Sequence, residues 1–259
     1  MTSEVKAAGR PVVDGGLQSV LTAIDLLDCF TDADELGVTE IAGRIGVAKS
    51  TAHRLLTTLC ARGVAEKNPE TGRYRLGMKL YELGSLALQR NRIHQTALPL
   101  LQELQHLTGG TVHLAVPDGG QVIYLERLVN AAAAPTFARI GRRLPAHCTS
   151  SGKAMAAFDR RVAAAQSRAG FTPLTHASIS SSQGYASSLA ETRRLGFALS
   201  IDEAAVGLAS VAAPVLAHDG SACAAISVVG ASKQVRADVD RPARLVRLAA
   251  RRLARSLCI

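Results

Sequence analysis

Residues 38–77 read VTEIAGRIGVAKSTAHRLLTTLCARGVAEKNPETGRYRLG, and this stretch decides the fold of the N-terminal part. Thr39 is a good N-cap for a short helix, EIAGRIG, which Gly46 ends. A further helix begins near Lys49 with Ala52, Leu55, Leu56 and Leu59 as its inner stripe, and Gly63 closes it. Its opposite face projects Lys49, Ser50, Thr51, His53, Arg54 and Thr57. Two short helices joined by a tight glycine-containing turn, the second opening with polar donors, describe a helix-turn-helix. VAEKNPETGRYRLG then reads strand, turn, strand, with Asn68-Pro69-Glu70-Thr71-Gly72 supplying the turn. A hairpin directly after such a helix is a wing. On its return strand Arg73 and Arg75 alternate with Tyr74 and Leu76, so one side is basic and the other packs inward.

Working outward, Leu17, Val20, Leu21, Ile24, Leu27 and Phe30 fall at steps of three and four, which predicts an amphipathic helix stopped by the acidic loop TDADELG. Residues 1–14 read as a flexible tail, 15–77 as the winged helix-turn-helix and 78–93 as a linker helix. Met78, Tyr81, Leu83, Leu86 and Ala87 of that linker are available to pair with a second subunit or with the chain itself.

Charge supports the local reading more than the global one. The formal net charge is +9, but residues 10–37 are acidic and residues 233–259 hold eight bases against two acids. The informative excess is the seven bases against three acids in residues 38–77. Arg44, Arg73 and Arg75 are expected to meet phosphate or the minor groove. Lys49, Ser50, Thr51, His53 and Arg54 are expected to face a major groove.

Residues 94–259 have a different texture. A helix of roughly 96–108 leads to two β-rich runs around Pro117-Asp118-Gly119-Gly120, a hairpin signature. A third extended run surrounds Phe137 and Ile140. CTSSGKAMAAF starts a helix, and SSQGYASSLAETRRLG is another. FALSID, VGLASVAAPVLA and SACAAISVVG read as strands. A final helix over 238–258 turns Val239, Leu245, Leu248, Ala249, Leu253 and Leu257 inward. Hairpins with flanking helices predict an α+β domain with an antiparallel sheet.

Several classes are excluded or weakened. No stretch reaches the ~18 apolar residues of a membrane span, and the N-terminus lacks a signal design, so a cytoplasmic location is expected. The five isolated cysteines and seven histidines show no metal spacing, and no metal or cofactor is expected. Ser150-Ser151-Gly152-Lys153 matches the S-x-x-K acylase nucleophile, but S-D-N and K-T-G are missing. Gly152-Lys153 also fails as a P-loop ending, because Ala154 replaces the Ser/Thr.

The strings VTEIAGRIGVAKSTAHRLLTTL, YRLG, RLPAHCTSSGKAMAAF and LGFALSIDEAAVGLASVAAPVLAHDGSACAAISVVG resemble the IclR family of bacterial transcription regulators, nearly throughout from Leu17. The resemblance implies a GAF-like effector-binding domain after the linker. It also implies homodimers on pseudo-palindromic double-stranded DNA, tetramers in some members, a small organic acid effector and RNA polymerase as a further partner. By position it assigns the acid to the helix start at Ser150, Ser151 and Gly152, whose free amides suit an anion. Asp202, Ser210 and Ser227 match polar pocket positions, and Leu144 and Leu208 match apolar walls. Asp202 equally suits capping a turn, and Ser227 suits satisfying sheet backbone. The expected function is a ligand-responsive transcription regulator without a catalytic residue. The alternative is a small-molecule sensor or acyl-transfer enzyme with a degenerate DNA module.

Overall fold

The computed structural model describes residues 15–129 and 142–258, so the expected tail at 1–14 and the extended run at Phe137 and Ile140 lie outside the described residues. The chain divides into two compact units between Arg90 and Asn91.

In the first unit α1 (Gln18–Asp28) continues into a tight turn at Cys29–Asp32, followed by α2 (Val38–Ile45) and α3 (Lys49–Ala61). The hairpin β1 (Ala65–Lys67) and β2 (Tyr74–Leu76) precedes α4 (Met78–Gln89). Gly46 separates α2 from α3 at φ 69°, a left-handed conformation that glycine adopts without steric cost. Leu26, Leu36, Ile41 and Leu56 are fully buried, with Phe30 and Tyr74 beside them. Tyr74 also exchanges both backbone hydrogen bonds with Leu36, which ties the wing to the segment before α2.

Three expectations for this unit are corrected. Thr39 is not the cap of α2: the helix starts one residue earlier, and the Glu40 carboxylate accepts the Gly37 amide at 2.7 Å. A carboxylate three residues on satisfies that amide and suits the helix's positive end. In α1, Leu17, Val20 and Ile24 are 72%, 51% and 48% exposed, while Thr22 and Leu26 are buried. The apolar stripe is therefore wider than the face the unit's own core covers. Leu76 is likewise exposed, since only Tyr74 of the return strand reaches the core.

The second unit opens with α5 (Arg92–Thr108), which starts four residues before the expected Thr96 because Asn91 Oδ1 accepts the His94 amide. Then come β3 (Thr111–Asp118), β4 (Gln121–Leu128), β5 (Arg143–Pro145), a tight turn at Ala146–Cys148, and α6 (Ser150–Phe158). These lead to α7 (Arg160–Ala169), α8 (Ser182–Leu195), β6 (Ala198–Ile201), β7 (Leu208–Leu216), β8 (Ala222–Ala231), α9 (Ser232–Ala237) and α10 (Asp240–Leu257). The sheet is antiparallel in the order β5-β4-β3-β8-β7-β6.

Side-chain alternation divides each strand between two cores. Val112, Leu114, Val211, Val215, Ile226 and Val228 pack with Leu101 of α5 and Val246 and Leu253 of α10. Ala115, Val122, Tyr124, Ala212 and Ala225 face α6, α7 and α8 across Met155 and Leu189. The sequence reading ends its helix at Phe158 and assigns no element to residues 160–169, where α7 lies. Asp159 parts α6 from α7 by adopting an extended conformation and accepting the Arg161 amide at 2.8 Å. On α10 the inward face is Ala243, Val246, Ala249, Ala250, Leu253 and Leu257, so Leu248, expected inside, is half-exposed. The alanines allow close approach to β7, which rotates the contact face towards them.

Candidate DNA-reading face and effector cleft

On α3 the helical period places Ala52 and Leu56 fully inside and leaves Lys49, Ser50, Thr51, His53, Arg54 and Thr57 exposed. Ser50 and Thr51 lie in the first turn, where the dipole is positive, and the Thr51 amide donates to the Ala48 carbonyl at 2.9 Å. Among the described residues, neither Lys49 nor Arg54 has a carboxylate partner. The Thr57 hydroxyl donates back to the His53 carbonyl at 2.9 Å, which takes it out of the outward row. An exposed row of this length fits a major groove and can read base edges.

The three other cations expected at DNA are engaged within the unit. Arg44 donates to the Cys29 carbonyl at 2.9 Å. Arg73 donates to Glu40 at 2.7 Å and to the Glu35 carbonyl at 3.2 Å. Arg75 donates twice to Glu66, at 3.1 and 3.0 Å, directly across the hairpin.

In the second unit a small cleft opens between the sheet and the start of α6. Leu144, Leu208 and Val229 supply apolar wall, and Ser210, Ser200 and Thr149 supply hydroxyls. Two expected residues meet here: Ser150 Oγ and Ser210 Oγ are 2.7 Å apart. Ser151 donates to Ser227 at 3.1 Å, and both are buried behind the wall. Gly152 belongs to the construction of the site. A Cβ there would stand 2.3 Å from the Ala146 backbone, so only glycine lets the preceding turn fold against α6. Its amide is taken by Thr149 Oγ1 at 3.0 Å, which leaves the Ser150 and Ser151 amides at the helix start.

Asp202 does not line the cleft. It sits at φ 60°, accepts the Gly207 amide at 2.7 Å and the Ser232 hydroxyl at 2.5 Å, and meets Arg236 at 3.3 Å. These bonds close the β6–β7 loop and hold its carboxyl below the usual range, chiefly through Ser232. The turn-capping alternative describes this geometry.

Sequence reasoning missed the polar floor. His113, Tyr124 and Arg127 line the cleft. His113 is fully desolvated, which lowers its pKa to about 3, so its imidazole is neutral. Burial pushes the Tyr124 phenol up to about 12. The Arg127 guanidinium lies 4.6 Å from the Tyr124 ring centroid. A signal was present: in Val112-His113-Leu114 the period of two sends His113 to the face opposite its apolar neighbours. Among the described residues, no carboxylate and one guanidinium line the cleft, a balance that favours an anion.

Behind α6, Lys153 is 2% exposed and its ammonium donates to both Glu203 oxygens, at 2.6 and 2.9 Å. Glu203 belongs to the loop whose Ala204 walls the cleft. Lys153 thus serves Glu203, and Ser150 has Ser210 as its partner.

The pattern described as "IclR helix-turn-helix domain" matches residues 19–69, and "Bacterial transcriptional regulator IclR C-terminal" matches residues 85–255. The chain is 40% identical to the HTH-type transcriptional regulator XynR of Escherichia coli strain K12, over 82% of this chain and 85% of that protein. It is 30% identical to the transcriptional repressor IclR of the same organism, over 86% and 84%. An IclR homolog from Microbacterium hydrocarbonoxydans, solved in complex with 4-hydroxybenzoate, matches 93% of this chain and 99% of its own, at 27% identity and a TM-score of 0.78.

Proposed function

The chain belongs to the IclR family of bacterial transcription regulators, and from that premise we propose that it couples a small carboxylate in the α6 cleft to operator binding by the α3 face. The observation that carries this reading is the cleft itself: among the described residues its lining holds a guanidinium and hydroxyls and no carboxylate to repel an acid. Arg127 and the Ser150 and Ser151 amides hold the carboxylate, while Ser200, Ser210 and Thr149 serve its other polar groups. The chain acts by binding rather than by acyl transfer, since the ammonium one turn from Ser150 is committed to Glu203. Lys49, Ser50, Thr51, His53 and Arg54 read the major groove. The exposed apolar rows on α1 and α4, with Leu17, Val20, Met78 and Tyr81, are the surface of a homodimer on a two-fold operator.

The test is calorimetric titration of small hydroxy-, keto- and aromatic carboxylates into the full chain and an Arg127→Leu variant. An acid that binds the wild type should lose at least tenfold in the variant. It should also shift affinity for a duplex selected by the protein, by the same factor as DNA shifts the acid. Failure of every acid to bind, or equal affinity in the variant, overturns the assignment of the cleft.

A further inference from the structure

We propose that Arg44, Arg73 and Arg75 brace the DNA-reading frame from within, and that the salt-sensitive cationic contact with DNA belongs to Lys49 and Arg54 on α3. This rests on the DNA-binding reading above but reverses the role expected for the wing.

The acidic segment before α2, which in sequence only ends a helix, is the other half of the brace. The Glu35 carboxylate accepts the Asn68 side-chain amide at 2.8 Å and the Thr71 hydroxyl at 3.1 Å, both from the wing tip. The Glu35 carbonyl and the Glu40 carboxylate share one terminal nitrogen of Arg73. Together with the two Leu36–Tyr74 backbone bonds, they fix tip and return strand to residues more than thirty positions earlier. Glu66 and Arg75 lock the two wing strands in register. Arg44 fastens α2 to the end of the α1 segment. Hydrogen bonds, from Asn68 to Glu35 and from the Gly37 amide to Glu40, hold both carboxyls below their usual range and keep them ionised.

The electrostatic consequence decides between contact and brace. Around the wing, Lys67, Arg73 and Arg75 stand among Glu35, Glu40, Glu66 and Glu70. A phosphate that drew Arg73 or Arg75 away would leave a carboxylate exposed beside it, so recruiting one cation creates one repulsion. Among the described residues, no carboxylate pairs with Lys49 or Arg54. Counterion release should therefore depend on α3 and not on the wing.

The experiment measures binding against salt concentration for the full chain on a labelled 30-base-pair duplex selected from a random library by the wild type. Lys49→Met and Arg54→Met should each lower the log–log salt slope by about 0.9. Arg73→Met and Arg75→Met should weaken binding about threefold while leaving the slope unchanged. The charge exchange Glu66→Arg with Arg75→Glu should restore wild-type affinity, which a lost phosphate contact would not allow. Hydrogen exchange of the free protein reads the brace without DNA: amides of residues 65–76 should exchange faster in Arg73→Met. A slope drop of about 0.9 in either wing variant, unrescued by the exchange, overturns the proposal. So does wild-type affinity or unchanged wing exchange in Arg73→Met. If instead the wild type selects no duplex, or the α3 variants keep the full slope, the DNA-reading assignment fails, and wing exchange still judges the brace.

Discussion

Replacing Lys153 by Met leaves Glu203 buried without its cation. The pair is 2% and 12% exposed, and its two hydrogen bonds of 2.6 and 2.9 Å are the only ones the Lys153 ammonium makes among the described residues. Removing one partner of such a pair costs about 3–5 kcal/mol, and the lower end applies because Glu203 keeps an edge in water. Replacing both by Met removes the two desolvation penalties together, so the double variant should lie within about 1 kcal/mol of wild type. With each single loss at about 3 kcal/mol, the coupling in this cycle is then roughly 5 kcal/mol. The two single variants should also respond to pH with opposite sign. Burial raises the Glu203 pKa above the ordinary glutamate value and lowers that of Lys153 below the ordinary lysine value. With Lys153→Met, the folded state binds the Glu203 proton more tightly than the unfolded state does, so stability recovers as pH falls through the raised pKa. With Glu203→Met, the folded state releases the Lys153 proton more readily, so stability recovers as pH rises through the lowered pKa. Urea unfolding followed by circular dichroism, on four proteins at acid and alkaline pH, measures all of this. Single-variant losses that add in the double variant, or pH responses of the same sign, would refute a buried coupled pair. Because Glu203 carries the loop of Ala204, Lys153→Met should also weaken acid binding in the cleft.

Gly152→Ala forces a methyl to within 2.3 Å of the Ala146 backbone, and should destabilise the second unit by about 1–3 kcal/mol or more; unaltered urea unfolding would show that the turn yields freely. His113 is neutral in the folded state with a pKa of about 3 against an ordinary 6.5, so the unfolded chain takes up its proton first. Stability from this group is complete above pH 6.5 and declines as pH falls towards 3, and His113→Gln should flatten that decline in acid unfolding. An unchanged pH slope would place the imidazole in contact with water.

The local sequence was enough for the elements of the reading head. A stripe at helical spacing, a glycine that alone takes φ 69° cheaply and a turn of Asn68-Pro69 to Gly72 are short-range constraints. The chain carries them whatever surrounds it. The same holds for the Pro117–Gly120 hairpin and for the start of α6, where Thr149 and Gly152 fix the first turn locally.

Partner choice was not legible, because it depends on residues that meet only after folding. Nothing in RYRL indicates that Arg73 will find Glu40, or that Arg75 will spend its charge on Glu66. Nothing in LSIDE sends Asp202 to Ser232 and Glu203 to Lys153 rather than into the cleft. The sequence by itself determined most of the helices and strands and where the apolar stripes run along them, since backbone sterics and side-chain period are properties of neighbours along the chain. The tertiary structure alone decided which charges remain unspent: an ion pair is set by distance and burial, and both arise when segments far apart in sequence are packed together.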